Sequence, residues 1–171
     1  MLLDKENLKS YIIKEFIPIG ERNFIYTKKS NVKNAPVIIV LHGGQQGSDV
    51  WFQENDQATF VKNAIDKGYA IIVPDSLAPL CPGVKQWDYR KESSDLHLFD
   101  EMFNWIWLND DLDSSRIYVT GISIGGFMTS RLANHYSKNI NAVAIHSAGN
   151  ADNVFISSDN LCYVEYNNTI A

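Results

Sequence analysis

The stretch Arg116-Ile117-Tyr118-Val119-Thr120-Gly121-Ile122-Ser123-Ile124-Gly125-Gly126-Phe127-Met128 decides the fold of this chain. Its first five residues form an apolar run of strand length, and Gly126-Phe127-Met128-Thr129-Ser130-Arg131-Leu132-Ala133 reads as a helix. Ser123 therefore stands on a strand-to-helix turn, with a glycine two positions away on either side. A serine in that place has a strained backbone, and a side chain at either glycine would collide with the neighbouring strand or helix. Such a turn lifts the serine oxygen clear of the sheet, where an electrophilic carbonyl can reach it; this is the layout of a nucleophile elbow.

On its own the pattern also suits a glycine-rich turn without chemistry. A second element bears on the choice: Val37-Ile38-Ile39-Val40-Leu41-His42-Gly43-Gly44-Gln45, an apolar run ending in a glycine pair, reads as a buried parallel strand opening into a loop. Attack on a carbonyl creates an oxyanion that needs two backbone donors, one from the residue after the nucleophile and one from a loop of this type. Ile124 is the first candidate, and Gly44 or Gln45 the second.

Working outward, Tyr11–Ile17 and Arg22–Thr27 flank a turn-rich gap and predict an N-terminal antiparallel hairpin. A helix is expected over Asp56–Lys67, with Phe60, Val61, Ala64 and Ile65 on one face and Gly68 as its stop. Tyr69–Val73 reads as another buried strand. Pro74 to Ser93, with prolines at 74, 79 and 82, reads as a long irregular loop of the kind that carries substrate contacts. Ser93 or Ser94 is the expected cap of a helix over Asp95–Leu108, followed by a turn at Asn109-Asp110-Asp111. Arg116–Thr120 is the third buried strand. A helix from Ile124 to Tyr136 and a fourth buried strand over Asn141–Ile145 complete the pattern. Apolar strands alternating with helices specify an α/β fold, a mostly parallel sheet flanked by helices on both faces. His42, Asp75, Ser123 and His146 all fall at the carboxyl ends of its strands, where reactive groups of such sheets collect.

The 171 residues, 45% of them hydrophobic, suit a single domain over 1–171 with a sizeable core. A formal net charge of −5, with no basic cluster beyond Lys28-Lys29, argues against nucleic acid as a partner. No signal-peptide layout and no run of membrane-span length is visible, so the expected location is the cytoplasm, with no membrane partner. Cys81 and Cys162 lack a metal-ligand spacing and are read as free thiols. The scattered histidines disfavour a metal site.

Together these residues resemble the α/β-hydrolase superfamily, and within it esterases similar to polyhydroxybutyrate depolymerases and feruloyl esterases. The pieces that carry the likeness are Leu41–Gln45, Val73-Pro74-Asp75, Trp87-Asp88, the Asp95–Ile106 helix, Tyr118–Met128 and Ala142–Ser147. The resemblance implies a Ser–His–Asp mechanism on small-molecule or polymeric esters, without metal or organic cofactor, with Ser123 as nucleophile. Superfamily order places the acid and then the histidine after the nucleophile. Leu161–Tyr166 looks like the strand that precedes the acid, so the acid, the histidine and the last strand or strands are expected beyond the chain end. A sheet edge left open in this way invites association of copies.

Within the chain, His42 suits a structural role in the oxyanion loop, or the substrate pocket together with Trp87 and His146; His146 is also the one substitute base at a strand end. His97 and His135 read as surface or packing residues. Asp75, Asp152 and Asp159 read as loop anchors before triad members. Two further readings stay open: a non-catalytic α/β-hydrolase-like binding protein or remnant, and a peptidase or thioesterase using the same elbow.

Overall fold

The computed structural model describes residues 12–19, 22–53, 56–76, 86–156 and 164–166. In chain order they form β1 (Ile12–Ile19), β2 (Arg22–Lys29), β3 (Ala35–Leu41), a 3₁₀ turn (Ser48–Phe52), α1 (Asp56–Asp66), β4 (Ala70–Pro74), α2 (Ser94–Leu108), β5 (Leu112–Ile122), α3 (Ile124–His135), β6 (Ala142–His146), β7 (Val154–Ile156) and β8 (Val164–Tyr166). Six strands make one sheet in the order β1-β2-β4-β3-β5-β6. β4, β3, β5 and β6 run parallel, and the β1–β2 hairpin is added antiparallel at one edge.

Strand alternation divides the core. Val37, Ile39 and Leu41 of β3, with Ala70 and Ile72 of β4, join the cluster that holds Phe99, Met102 and Ile106 of α2 and Met128 and Leu132 of α3. Val40, Ile71 and Val73 face the other way, onto Val61, Ala64 and Ile65 of α1 and onto Trp51. Successive side chains of a strand point to opposite faces, so strands covered on both sides are apolar at every position. Ile39, Ile71 and Ile72 are fully excluded from solvent, each burial contributing about 1.5–3 kcal/mol.

β5 is longer than the predicted Arg116–Thr120. Ala35 pairs with Leu112 and Pro36 with Asp113, but Val37 then pairs with Ile117. Residues 114–116 bulge out and are exposed, and regular pairing resumes where the apolar run begins. The expected cap Ser93 does occupy the N-cap position of α2, yet its hydroxyl makes no cap hydrogen bond.

Two expectations are corrected. The strand expected at Asn141–Ile145 forms as β6, but it is not buried: all five residues are exposed, Val143 at 37% and Ile145 at 39%. Apolar composition cannot distinguish a central strand from an outer one, and among the described residues β6 pairs with β5 alone. Within the expected strand Leu161–Tyr166, positions 161–163 lie outside the described residues, and Val164–Tyr166 pairs antiparallel with β7 in a separate two-stranded sheet. Pairing with a segment only a few residues upstream closes a short loop and costs less entropy than a long crossover. Cys81, Asp159, Cys162 and the prolines at 79 and 82 also lie outside the described residues.

Candidate active site

β5 ends at Ile122 and α3 begins at Ile124, so Ser123 alone makes the turn. It sits at φ 55° and ψ −122°, a region costing a non-glycine residue about 1–3 kcal/mol. Three backbone bonds hold it there. Its N–H donates to His146 O at 2.9 Å, and its carbonyl accepts from Gly126 N–H at 2.8 Å and Phe127 N–H at 3.2 Å. The side chain is left exposed. The flanking glycines are there for close approach: a Cβ on Gly121 would lie 2.3 Å from Gly125 O, and one on Gly125 would lie 2.4 Å from His42 O.

That second contact sets the start of α3 against the end of β3, where the chain leaves the sheet as the loop His42–Gly47. In this loop Gly43 N–H is taken up by Gln46 Oε1 at 3.0 Å. Gly44 and Gln45 are exposed, and Gln45 takes a positive φ of 62°. A Cβ on Gly44 would lie 3.8 Å from Ile124 Cγ2, so the loop and the elbow are in contact. As the first residue of α3, Ile124 has no intrahelical acceptor for its N–H, and the helix dipole places partial positive charge there. Ile124 and the exposed Gly44–Gln45 stretch of the loop are thus neighbours at the turn that carries the exposed serine.

His42 is fully buried beneath the loop. Its Nε2 accepts the Ser76 N–H at 3.1 Å, so the ring proton sits on Nδ1 and is donated to Gly43 O at 2.7 Å. Gly43 O and Gly44 N–H belong to one peptide plane, so this bond sets the direction of the Gly44 N–H. His42 thus supports the loop from within the core, closed off from solvent. Trp87 is 1% exposed, and its indole N–H donates to His42 O at 3.0 Å; it packs behind the loop rather than lining a pocket. Asp75 accepts from Ser48 N–H at 2.7 Å and Ser48 Oγ at 3.2 Å, fixing the far end of the loop.

His146 reaches the site through its backbone, which anchors Ser123. Its side chain is exposed and lines a cleft of about 340 Å³ with Trp51, Asp56, Phe60, Ile122 and Ser147. His97 and His135 are exposed on α2 and α3. Asp152 pairs with Arg131 at 2.8 Å, and that guanidinium holds the Asp152 carboxyl below its ordinary range. Among the described residues no group of three or more His, Cys, Asp or Glu could hold a metal ion, and no helix is long and apolar enough to cross a membrane.

Two supporting residues escaped sequence reasoning. Gln46 orients the loop through Gly43, but a glutamine in a polar loop carries no signal of that role. Arg131 is 6% exposed inside α3, with Nε donating to Tyr89 O at 2.7 Å. Its place in the helix run Gly126–Ala133 could have flagged a charge on the inward face.

The sequence matches the family described as alpha/beta hydrolase fold over residues 36–163. A feruloyl esterase B of Thermothelomyces thermophilus is 28% identical over 138 residues, covering 76% of this chain and 45% of that protein. A poly(3-hydroxyoctanoate) depolymerase of Pseudomonas fluorescens is 29% identical over 150 residues, covering 78% of this chain and 53% of that protein. Among solved structures, an acetyl xylan esterase from Aspergillus awamori superposes with a TM-score of 0.71 at 20% identity, covering 90% of this chain and 57% of that chain. The chain spans about half the length of the curated relatives it matches.

Proposed function

The chain belongs to the alpha/beta hydrolase fold family, and on that premise we propose that it supplies the nucleophile and oxyanion hole of a serine hydrolase acting on carboxylic esters. The reading rests on one observation: an exposed serine at positive φ, on a one-residue strand-to-helix turn, with the glycine loop after β3 against the next residue. In this reaction Ser123 Oγ attacks the ester carbonyl carbon and gives its proton to a histidine base. The carbonyl oxygen takes the negative charge between the amides of Ile124 and Gly44 or Gln45. Collapse expels the alcohol with that proton, and water then cleaves the acyl-serine bond.

His42 is excluded as the base because Ser76 occupies its Nε2 and Gly43 O its Nδ1. Superfamily order places the acid and then the histidine after the nucleophile, and the reading assigns neither role to His42. The similarity to a feruloyl esterase and a depolymerase supports an ester with a bulky or polymeric partner. The test is hydrolysis of p-nitrophenyl acetate and methyl ferulate by the protein expressed from its whole gene, beside Ser123→Ala. Turnover that Ser123→Ala abolishes is expected; turnover that survives the substitution contradicts the reading. The alternative is a non-catalytic member of the same fold. Absence of any turnover by the whole-gene protein would select it.

A further inference from the structure

We propose that Trp87 is a positioning residue for the oxyanion loop, anchored from behind by the ion pair Arg22–Asp95. The inference rests on the reading of Gly44 or Gln45 as an oxyanion donor. Two successive peptide planes precede the Gly44–Gln45 amide. In the first, His42 O accepts the Trp87 indole N–H at 3.0 Å while Gly43 N–H donates to Gln46 Oε1 at 3.0 Å. In the second, Gly43 O is held by His42 Nδ1–H at 2.7 Å. A peptide plane bonded at both its oxygen and its N–H cannot rotate without breaking one bond. His42 Nε2 ties the loop to Ser76 after β4, and Trp87 ties it to the segment that leads into α2.

That part is itself held. Next to Trp87, Asp88 N–H donates to Asp95 Oδ2 at 2.7 Å, and the Asp95 carboxylate is fully buried at the start of α2. Its other oxygen lies 2.7 Å from Arg22 Nη1 on β2. Arg22 Nη2 donates to Asp75 O at 2.6 Å, and the Asp75 carboxylate fixes Ser48 at the far end of the loop. Both ends of the segment 42–48 therefore hang from one guanidinium on the antiparallel hairpin. At 1% exposure the Trp87 ring has no surface to offer a substrate.

Trp87→Phe deletes the indole N–H and keeps an aromatic ring between His42 and Phe99, which it now meets at ring-centre distances of 4.9 and 5.8 Å. In the whole-gene protein kcat is expected to fall about tenfold, or about 1.4 kcal/mol, with KM within about twofold. A pocket wall would instead raise KM and spare kcat. Independently of activity, hydrogen exchange in a peptide covering residues 42–47 should quicken in Trp87→Phe, while a peptide from α1 stays unchanged. Asp95→Asn keeps an acceptor for Asp88 N–H but removes the charge facing Arg22; it should quicken the same peptide to a smaller degree. Unchanged exchange over 42–47 in both variants overturns the proposal whether or not the protein turns out to be an esterase. An inactive wild type with quickened loop exchange in Trp87→Phe would leave the positioning intact and remove the catalytic reading.

Discussion

Replacing Gly125 by alanine tests the contact that holds the nucleophile turn against the oxyanion loop. A Cβ at this position would lie 2.4 Å from His42 O, 2.6 Å from Leu41 O and 2.9 Å from Leu41 C. All three are backbone atoms at the end of β3, so no side chain can rotate aside. Ordinary contact begins near 3.4 Å, and the difference, 3.4 − 2.4, asks the first turn of α3 to retreat by 1.0 Å. Overpacking typically costs about 1–3 kcal/mol, and backbone on both sides puts this case near 3. At about 2–4 °C per kcal/mol for a chain of this size, the melting temperature should fall by about 6–12 °C. The same retreat separates Ile124 from Gly44, and a 1 Å error in such a constellation costs about a hundredfold in rate. The assay is thermal unfolding followed by circular dichroism, with Gly44→Ala as control, since its Cβ would meet Ile124 Cγ2 at 3.8 Å. The control should lose less than about 0.5 kcal/mol. A Gly125→Ala protein melting within about 2 °C of wild type would refute the packing argument.

Ser123→Gly should raise the melting temperature by about 2–4 °C, because relief of roughly 1–3 kcal/mol of backbone strain exceeds the 0.5–1 kcal/mol entropy cost of glycine; a lower melting temperature would speak against strain at the elbow. Arg131→Ala removes a buried guanidinium and its bond to the Tyr89 carbonyl and should destabilise by about 2 kcal/mol in urea unfolding, whereas its partner Asp152 is exposed enough to matter little. Asp113 is held down to about 2 by its bonds to Ser115 and Arg116, against an ordinary 3.8. A carboxylate lowered in the folded state stabilises above its unfolded pKa and loses that contribution as pH falls through the folded one. Asp113→Asn should therefore flatten the melting temperature between about pH 4 and pH 2 relative to wild type, and parallel curves would contradict the assignment.

The strand-to-helix turn at Ser123 and the strand that leads into the glycine loop could be read from the sequence because each is set by short-range rules: an apolar run that must be a buried strand, and glycines at 121 and 125 where no Cβ fits. The same rules located β3, β4, α1 and α3 to within a residue or two. They gave no warning that β6 would stand exposed, since Ala142–Ile145 is as apolar as the central strands and only its neighbours decide burial. Trp87 was legible as an aromatic in a proline-rich stretch, but its burial depends on His42 and Phe99, which are distant in sequence. The Arg22–Asp95 pair joins β2 to α2 and leaves no periodic trace at all. Within the strand expected at Leu161–Tyr166, Val164–Tyr166 pairs with β7 for a related reason: a short strand takes whichever edge is near.

The most direct test of the central claim is covalent trapping. The protein expressed from its whole gene is treated with a fluorophosphonate, digested, and the modified peptide identified by mass spectrometry. The account predicts one adduct, on Ser123, lost in Ser123→Ala and slowed about a hundredfold in Gly125→Ala. An unmodified wild type, or an adduct that persists when Ser123 is alanine, would contradict it.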